Sequence, residues 1–115
     1  MAGTSRTPVD DEIFERQAQI CKAFAHPGRL RILDLLGTGE RGVSELQSEL
    51  GISKTSISQQ ISILKSAGVL ATRRNGKQIY CSLAIPEVKE ACHLIRGVLR
   101  AQITNSRRLS EPLEE

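Results

Sequence analysis

The run Ser53-Lys54-Thr55-Ser56-Ile57-Ser58-Gln59-Gln60-Ile61-Ser62-Ile63-Leu64-Lys65-Ser66-Ala67-Gly68 decides how this chain is read. Ile57, Ile61 and Leu64 recur at i, i+4 and i+7, the spacing of one buried helix face. Ser53 is a good N-cap and Gly68 a good terminator, so a helix is predicted from Lys54 to about Ala67. Its opposite face carries Lys54, Thr55, Ser58, Gln59 and Ser62. A helix face that only meets water usually carries Glu and Lys pairs. This one offers short hydroxyls and amides, which hydrogen-bond base edges without electrostatic bias. A recognition helix in the major groove is the reading favoured over a merely solvated polar face.

Working outward, Gly51 and Ile52 alone separate this helix from a shorter one before it. That third helix starts at Gly42, with Glu45 reaching back over the first turn, Leu46 and Leu50 on its apolar side and Gly51 at its end. On the other side, Val69–Arg74 and Lys77–Leu83 flank Asn75-Gly76, the strongest short hairpin signal. A turn centred on Asn75-Gly76 sets Arg74 opposite Lys77, Thr72 opposite Ile79 and Leu70 opposite Cys81. Leu70, Ile79, Cys81 and Leu83 then face inward. Like charges facing each other at the tip make sense if phosphates neutralise them, so the hairpin reads as a wing.

Charge along the chain agrees. Residues 1–49 hold six basic and eight acidic side chains, and residues 87–115 hold five of each. From Leu50 to Pro86 there is no Asp or Glu, against Lys54, Lys65, Arg73, Arg74 and Lys77. An acid-free basic block suits a polyanion, although a solvated face is again the plainer alternative. The DNA contacts expected are Ser53, Lys54, Thr55, Ser56, Ser58, Gln59, Gln60 and Ser62 on the helix, with Arg73, Arg74, Asn75, Lys77 and Gln78 on the wing. Aromatics make up only 3% of the chain, so the base-stacking platforms of RNA-binding domains are not expected.

The remaining segments complete a mainly α fold, a winged helix-turn-helix of five helices with the wing between the fourth and fifth. Ile13, Gln17, Ile20 and Phe24, with Phe14 and Cys21 beside them, predict a first helix over about 12–25. Pro27 opens a second, running through Leu30, Leu33 and Leu36 to Gly37-Thr38-Gly39. Pro86 opens the last, with Val88, Cys92, Ile95 and Leu99 on one stripe. The organisation expected is a flexible tail over 1–11, one domain over 12–104 and a flexible tail over 105–115. With 115 residues, 39% of them apolar and 25% charged, the chain has the composition of one soluble domain with a real core. Neither a membrane span of about 18 apolar residues nor a secretory signal is visible, so a cytoplasmic protein is expected.

The phrases Ala25-His26-Pro27-Gly28-Arg29-Leu30-Arg31-Ile32-Leu33, Ser44-Glu45-Leu46, Ser58-Gln59-Gln60-Ile61 and Leu64-Lys65-Ser66-Ala67-Gly68-Val69-Leu70 resemble the ArsR/SmtB family, from about Gln19 to Gln102. The resemblance implies a homodimeric repressor of double-stranded operator DNA, paired through its first and last helices. It implies release by a metal ion, metalloid or reactive sulfur or oxygen species acting at cysteines or histidines. The family's inducer sites do not carry over. Val43-Ser44-Glu45-Leu46 replaces the Cys-x-Cys type motif of one site, and Ile103-Thr104 stands where another needs its later His. Thr72–Tyr80 is similar to the persulfide-sensing subgroup, but Asp34 and Arg100 occupy the positions of that subgroup's two cysteines.

Three cysteines, at 21, 81 and 92, do not form a disulfide framework or a zinc knuckle. Cys81 reads as a buried structural thiol. Cys21 and Cys92 lie on the two helices the family pairs, and are either core residues or a sensing pair for a soft metal, a metalloid or a disulfide switch. No resident cofactor is expected. His26 reads as a helix-start residue and His93 as solvent-exposed. No nucleophile elbow, phosphate-binding glycine loop or paired carboxylates appear, so an enzyme is not expected. The alternative kept open is a winged-helix module that packages DNA or binds protein without an inducer.

Overall fold

The computed structural model describes residues 8–110, and the surroundings of side chains 10–107. In chain order it forms α1 (Pro8–Phe24), α2 (Pro27–Leu36), β1 (Arg41–Gly42), α3 (Val43–Leu50), α4 (Lys54–Ser66), β2 (Leu70–Asn75), β3 (Gln78–Leu83) and α5 (Glu87–Ser110). The five expected helices are present, with the wing between α4 and α5. Both end helices are longer than their spacing predicted. Pro8 fits a first helical position, and Asp10 and Asp11 favour the positive end of the helix dipole, so residues 8–11 belong to α1. Ile103 carries the apolar stripe of α5 forward, and residues 105–110 continue the helix. The rest of the two expected tails, 1–7 and 111–115, lies outside the described residues.

The core is built around α2. His26 caps it from an extended backbone, its Nδ1 accepting the N–H of Gly28 at 3.0 Å, and Pro27 has no N–H to satisfy. Ile32, Leu33 and Leu36 of α2 are buried, and the helix packs against α1, α3, α4, α5 and β3. Leu46 comes in from α3, Ile57, Ile61 and Leu64 from α4, and Val69, Leu70 and Cys81 from the wing and its approach. Val88 and Cys92 close the core from α5. Full burial of each aliphatic side chain contributes about 1.5–3 kcal/mol. The turn between α3 and α4 rests on Gly51, which caps α3 in the left-handed conformation at φ 65.

Four expectations are corrected. The wing is part of a three-stranded antiparallel sheet, order β1-β3-β2, in which Arg41 and Gly42 pair with Cys81 and Tyr80. In the β2–β3 ladder Asn75 pairs with Gln78, Arg74 with Ile79 and Thr72 with Cys81, so the central turn residues are Gly76 and Lys77. A turn centred on Asn75-Gly76 would need positive φ at Asn75, whereas among the described residues only glycines have it, Gly76 at φ 66. Glycine at the first central position fits a type II′ turn. The shift of two keeps each residue on its expected face, but Ile79 lies too near the tip to be covered and is exposed. Finally, Glu45 makes no capping bond; it turns to Arg41, whose guanidinium stands 3.3 Å away.

The apolar stripes of α1 ahead of its last turn and of α5 beyond Cys92 meet no core. Phe14 is 62% exposed and Leu94 73%, and Ile13, Ile95, Val98 and Leu99 are likewise open to solvent. No helix of the described residues is long and apolar enough to cross a membrane. Leu46, with no exposure at all, sits where α3 meets the core. Leu46→Ala should therefore lower the unfolding free energy by about 2–5 kcal/mol, read from the shift in a urea unfolding curve.

Candidate nucleic-acid interface

Helix α4 begins with Ser53, whose Oγ accepts the N–H of Ser56 at 3.1 Å. That hydroxyl fixes the first turn and with it the direction in which the helix points. Lys54, Thr55, Ser58, Gln59 and Ser62 are all exposed on the outer side, while Ile57, Ile61 and Leu64 are buried on the inner one. Ser56 is half-buried. Gln60 lies differently from the other expected contacts. It is half-buried, and its Oε1 accepts a hydrogen bond from Arg29 Nη1 at 3.0 Å.

Arg29 itself also reaches the end of α1. Its Nε donates to the Ala23 carbonyl at 2.7 Å and its Nη2 to that of Lys22 at 3.2 Å. The last turn of α1, the start of α2 and the middle of α4 thus share one guanidinium. Ile63 lies outside the buried stripe of Ile57, Ile61 and Leu64 and is not among the expected contacts. It is 44% exposed and bounds a shallow depression with Ser58, Gln59 and Ser62, where an apolar group suits a thymine methyl. Its place four residues after Gln59 was the available signal.

Lys65 Nζ donates to Thr72 Oγ1 at 2.8 Å, tying the end of α4 to the root of the wing. At the tip, Arg74, Asn75, Lys77 and Gln78 are exposed. Arg73 is not free. Its Nε and Nη2 each donate to the Glu40 carboxylate at 2.7 Å, and its guanidinium lies 4.6 Å from the centre of the Tyr80 ring. The hydrogen bond from Arg73 holds the Glu40 carboxyl below its ordinary pKa, and raises that of Arg73 in return. The acid-free block of sequence is therefore not acid-free in space, because the fold brings Glu40 to the wing.

The three cysteines are free thiols in three different settings. Cys21 is exposed on α1. Cys81 is fully buried on β3, the strand that packs against α2 and α3, and burial pushes its thiol up to about 11. Cys92 is buried against α2, which also raises its pKa. It lines a cavity of about 100 Å³ with Asp34, Gly37, Thr38, Lys89 and His93. Asp34, where the persulfide-sensing subgroup has a cysteine, is ion-paired to Arg96 at 3.2 Å. His93 is exposed, as its helical position suggested. Among the described residues no group of three or more His, Cys, Asp or Glu side chains is arranged to hold a metal ion.

A helix presented after a tight turn, beside a small antiparallel wing, defines a winged helix-turn-helix DNA-binding regulator. The profile of bacterial regulatory proteins of the arsR family matches residues 26–72. Rv0081 of Mycobacterium tuberculosis, an uncharacterized HTH-type transcriptional regulator, is 39% identical over 90 residues, 77% of this chain and 79% of that protein. The biofilm growth-associated repressor of Xylella fastidiosa is 34% identical over 85 residues, 74% of this chain and 75% of that one. The solution structure of the homodimeric winged helix-turn-helix DNA-binding domain of Mb0332 from Mycobacterium bovis, a possible ArsR-family regulator, matches with a TM-score of 0.73. Its identity is 30%, over 100% of this chain and 99% of that one. The chain belongs to the arsR family and is a transcriptional regulator, not an enzyme.

The buried thiol gives a pH dependence with a definite sign. Folding raises Cys81 from an ordinary value of 9.0 to about 11, so the unfolded chain loses this proton first. The associated stability is complete below pH 9.0 and is lost as pH rises toward about 11. Thermal melts across that range should fall less steeply for Cys81→Ala than for the wild type. An identical slope would show that the buried thiol does not titrate this way.

Proposed function

We propose that this regulator is a homodimeric repressor which reads operator DNA through α4, grips the backbone with its wing, and is released by an inducer acting on cysteine. The observation that carries the reading is the outer face of α4. Thr55, Ser58, Gln59 and Ser62 stand exposed there, next to Lys54 and close to a wing whose Arg74 and Lys77 have no ion-pair or hydrogen-bond partner among the described residues. Ser53 caps the start of that face, half-buried Ser56 and Gln60 flank it, and Asn75 and Gln78 close the tip beside Arg73. The exposed apolar faces of α1 and α5 favour a second copy of the chain, as patches of this kind rarely remain uncovered. A two-fold dimer doubles the base pairs read, at half-sites about 34 Å apart.

Two classes of substitution separate the roles. Thr55→Ala and Gln59→Ala should reduce discrimination between operator and random DNA, by about 1–3 kcal/mol for each side chain that reads a base. Arg74→Ala and Lys77→Ala should weaken both DNAs alike. The wild type should lose on the order of a hundredfold in affinity between low and moderate salt if about three cations per protomer touch phosphates. Fluorescence anisotropy on the protein's own upstream DNA and on a scrambled duplex measures all of these. Equal affinity for the two DNAs would favour a packaging protein instead.

The inducer is a soft metal ion, a metalloid or a reactive sulfur or oxygen species, and the sensing pair is Cys21 and Cys92. Cys21 offers an exposed thiol on α1, and Cys92 lies where α5 leaves α2, so chemistry at either bears on the helices that carry the exposed apolar faces. A coupling of about 1–3 kcal/mol is enough to release most of the DNA. Cys21→Ser and Cys92→Ser should each bind operator normally and lose the response to arsenite, cadmium, persulfide or peroxide, whereas Cys81→Ser should keep it. Wild-type responses in both single variants would leave these two thiols as packing residues.

A further inference from the structure

Arg73 stands in β2 opposite Tyr80, and its guanidinium lies over that ring at 4.6 Å. The edge of the guanidinium formed by Nε and Nη2 meets both oxygens of Glu40, each at 2.7 Å. These are the two parallel donors with which an arginine grips a phosphate. Glu40 and a DNA phosphate therefore compete for the same pair of N–H groups. Exposed ion pairs are usually weak, but two-point geometry is the arrangement in which they hold, and the Tyr80 ring steadies the guanidinium from below. Its neighbours Arg74 and Lys77 have no such partner among the described residues.

We propose that Glu40 limits the affinity of the wing for DNA: it withholds Arg73 from the DNA backbone and so weakens the wing's sequence-independent grip. The inference rests on the DNA-binding reading above. Phosphate contacts fix position and add affinity without regard to sequence, whereas the side chains of α4 carry the discrimination. Holding back one cation per wing therefore lowers the affinity for any duplex and leaves the discrimination to α4. The Glu40 carboxylate is itself the phosphate mimic, supplied by the segment just before β1.

The test uses the full chain and a duplex of random sequence, followed by fluorescence anisotropy over a range of salt, with thermal melts to check folding. Glu40→Gln and Glu40→Ala should bind this duplex tighter, on the order of tenfold at low salt, with a log–log salt slope steeper by about 0.9 for each contact recovered. Arg73→Ala alone should change the affinity little, because Arg73 is already withheld. Glu40→Gln placed in the Arg73→Ala background should gain nothing, and Glu49→Gln, which removes an equal charge paired to Arg41 on α3, should leave affinity unchanged. Unchanged or weaker binding by both Glu40 variants overturns the proposal, as does an equal gain in the Arg73→Ala background, which would reduce Glu40 to a bare charge. Absence of binding to any duplex, by wild type and variants at every salt, would overturn the DNA-binding reading itself.

Discussion

Burial of the core face of one helix holds this molecule together. α2 is 10 residues long, yet it meets α1, α3, α4, α5 and β3. Ile32, Leu33 and Leu36 leave it no solvent face along the core side, so each neighbouring element is oriented by how its own apolar residues fit against those three. The position of α4 follows from this. Ile57, Ile61 and Leu64 can be satisfied only against the core, and the same burial turns Ser58, Gln59 and Ser62 outward. The polar face proposed to read DNA is thus the reverse side of a packing requirement.

Around that core the charged side chains divide into tethered and free. Arg29 is bound to two carbonyls and Gln60, Arg41 to Glu45 and Glu49, Lys65 to Thr72, Arg73 to Glu40 and Arg96 to Asp34. These bonds join successive elements and set the angles among α4, the wing and α5. Lys54, Arg74 and Lys77 are left to the solvent, all within the segment that has no acid of its own. Net charge alone would not have separated the two groups.

What the sequence disclosed and what it withheld divide along sequence distance. The extent of α4, its Ser53 cap and its two faces were legible, because spacing and capping act within a few residues. The wing was legible as a hairpin, but its register turned on whether Asn75 or Gly76 takes positive φ, a choice of backbone geometry that leaves no trace in composition. β1 is two residues long and too short for any alternation to show. The pairing of Glu40 with Arg73 joins residues 33 apart and comes into being only when β1 adds to the sheet. By side-chain chemistry Gln60 is as fit for DNA as Gln59, and only the position of Arg29 tells the two neighbours apart.

Arg29 also limits which residue can stand at its position. Its acceptors lie on separate elements, two main-chain oxygens at the end of α1 and one side-chain oxygen on α4, and they are met by three different nitrogens of one flat group. A lysine carries the same charge on a single tetrahedral nitrogen, which cannot face three acceptors spread around a plane. Arginine and lysine are therefore not interchangeable here, although at the wing tip, where Lys77 offers only a point of charge to the solvent, the same exchange alters little. Equal charge is worth different things on one small molecule, according to whether it is asked for shape.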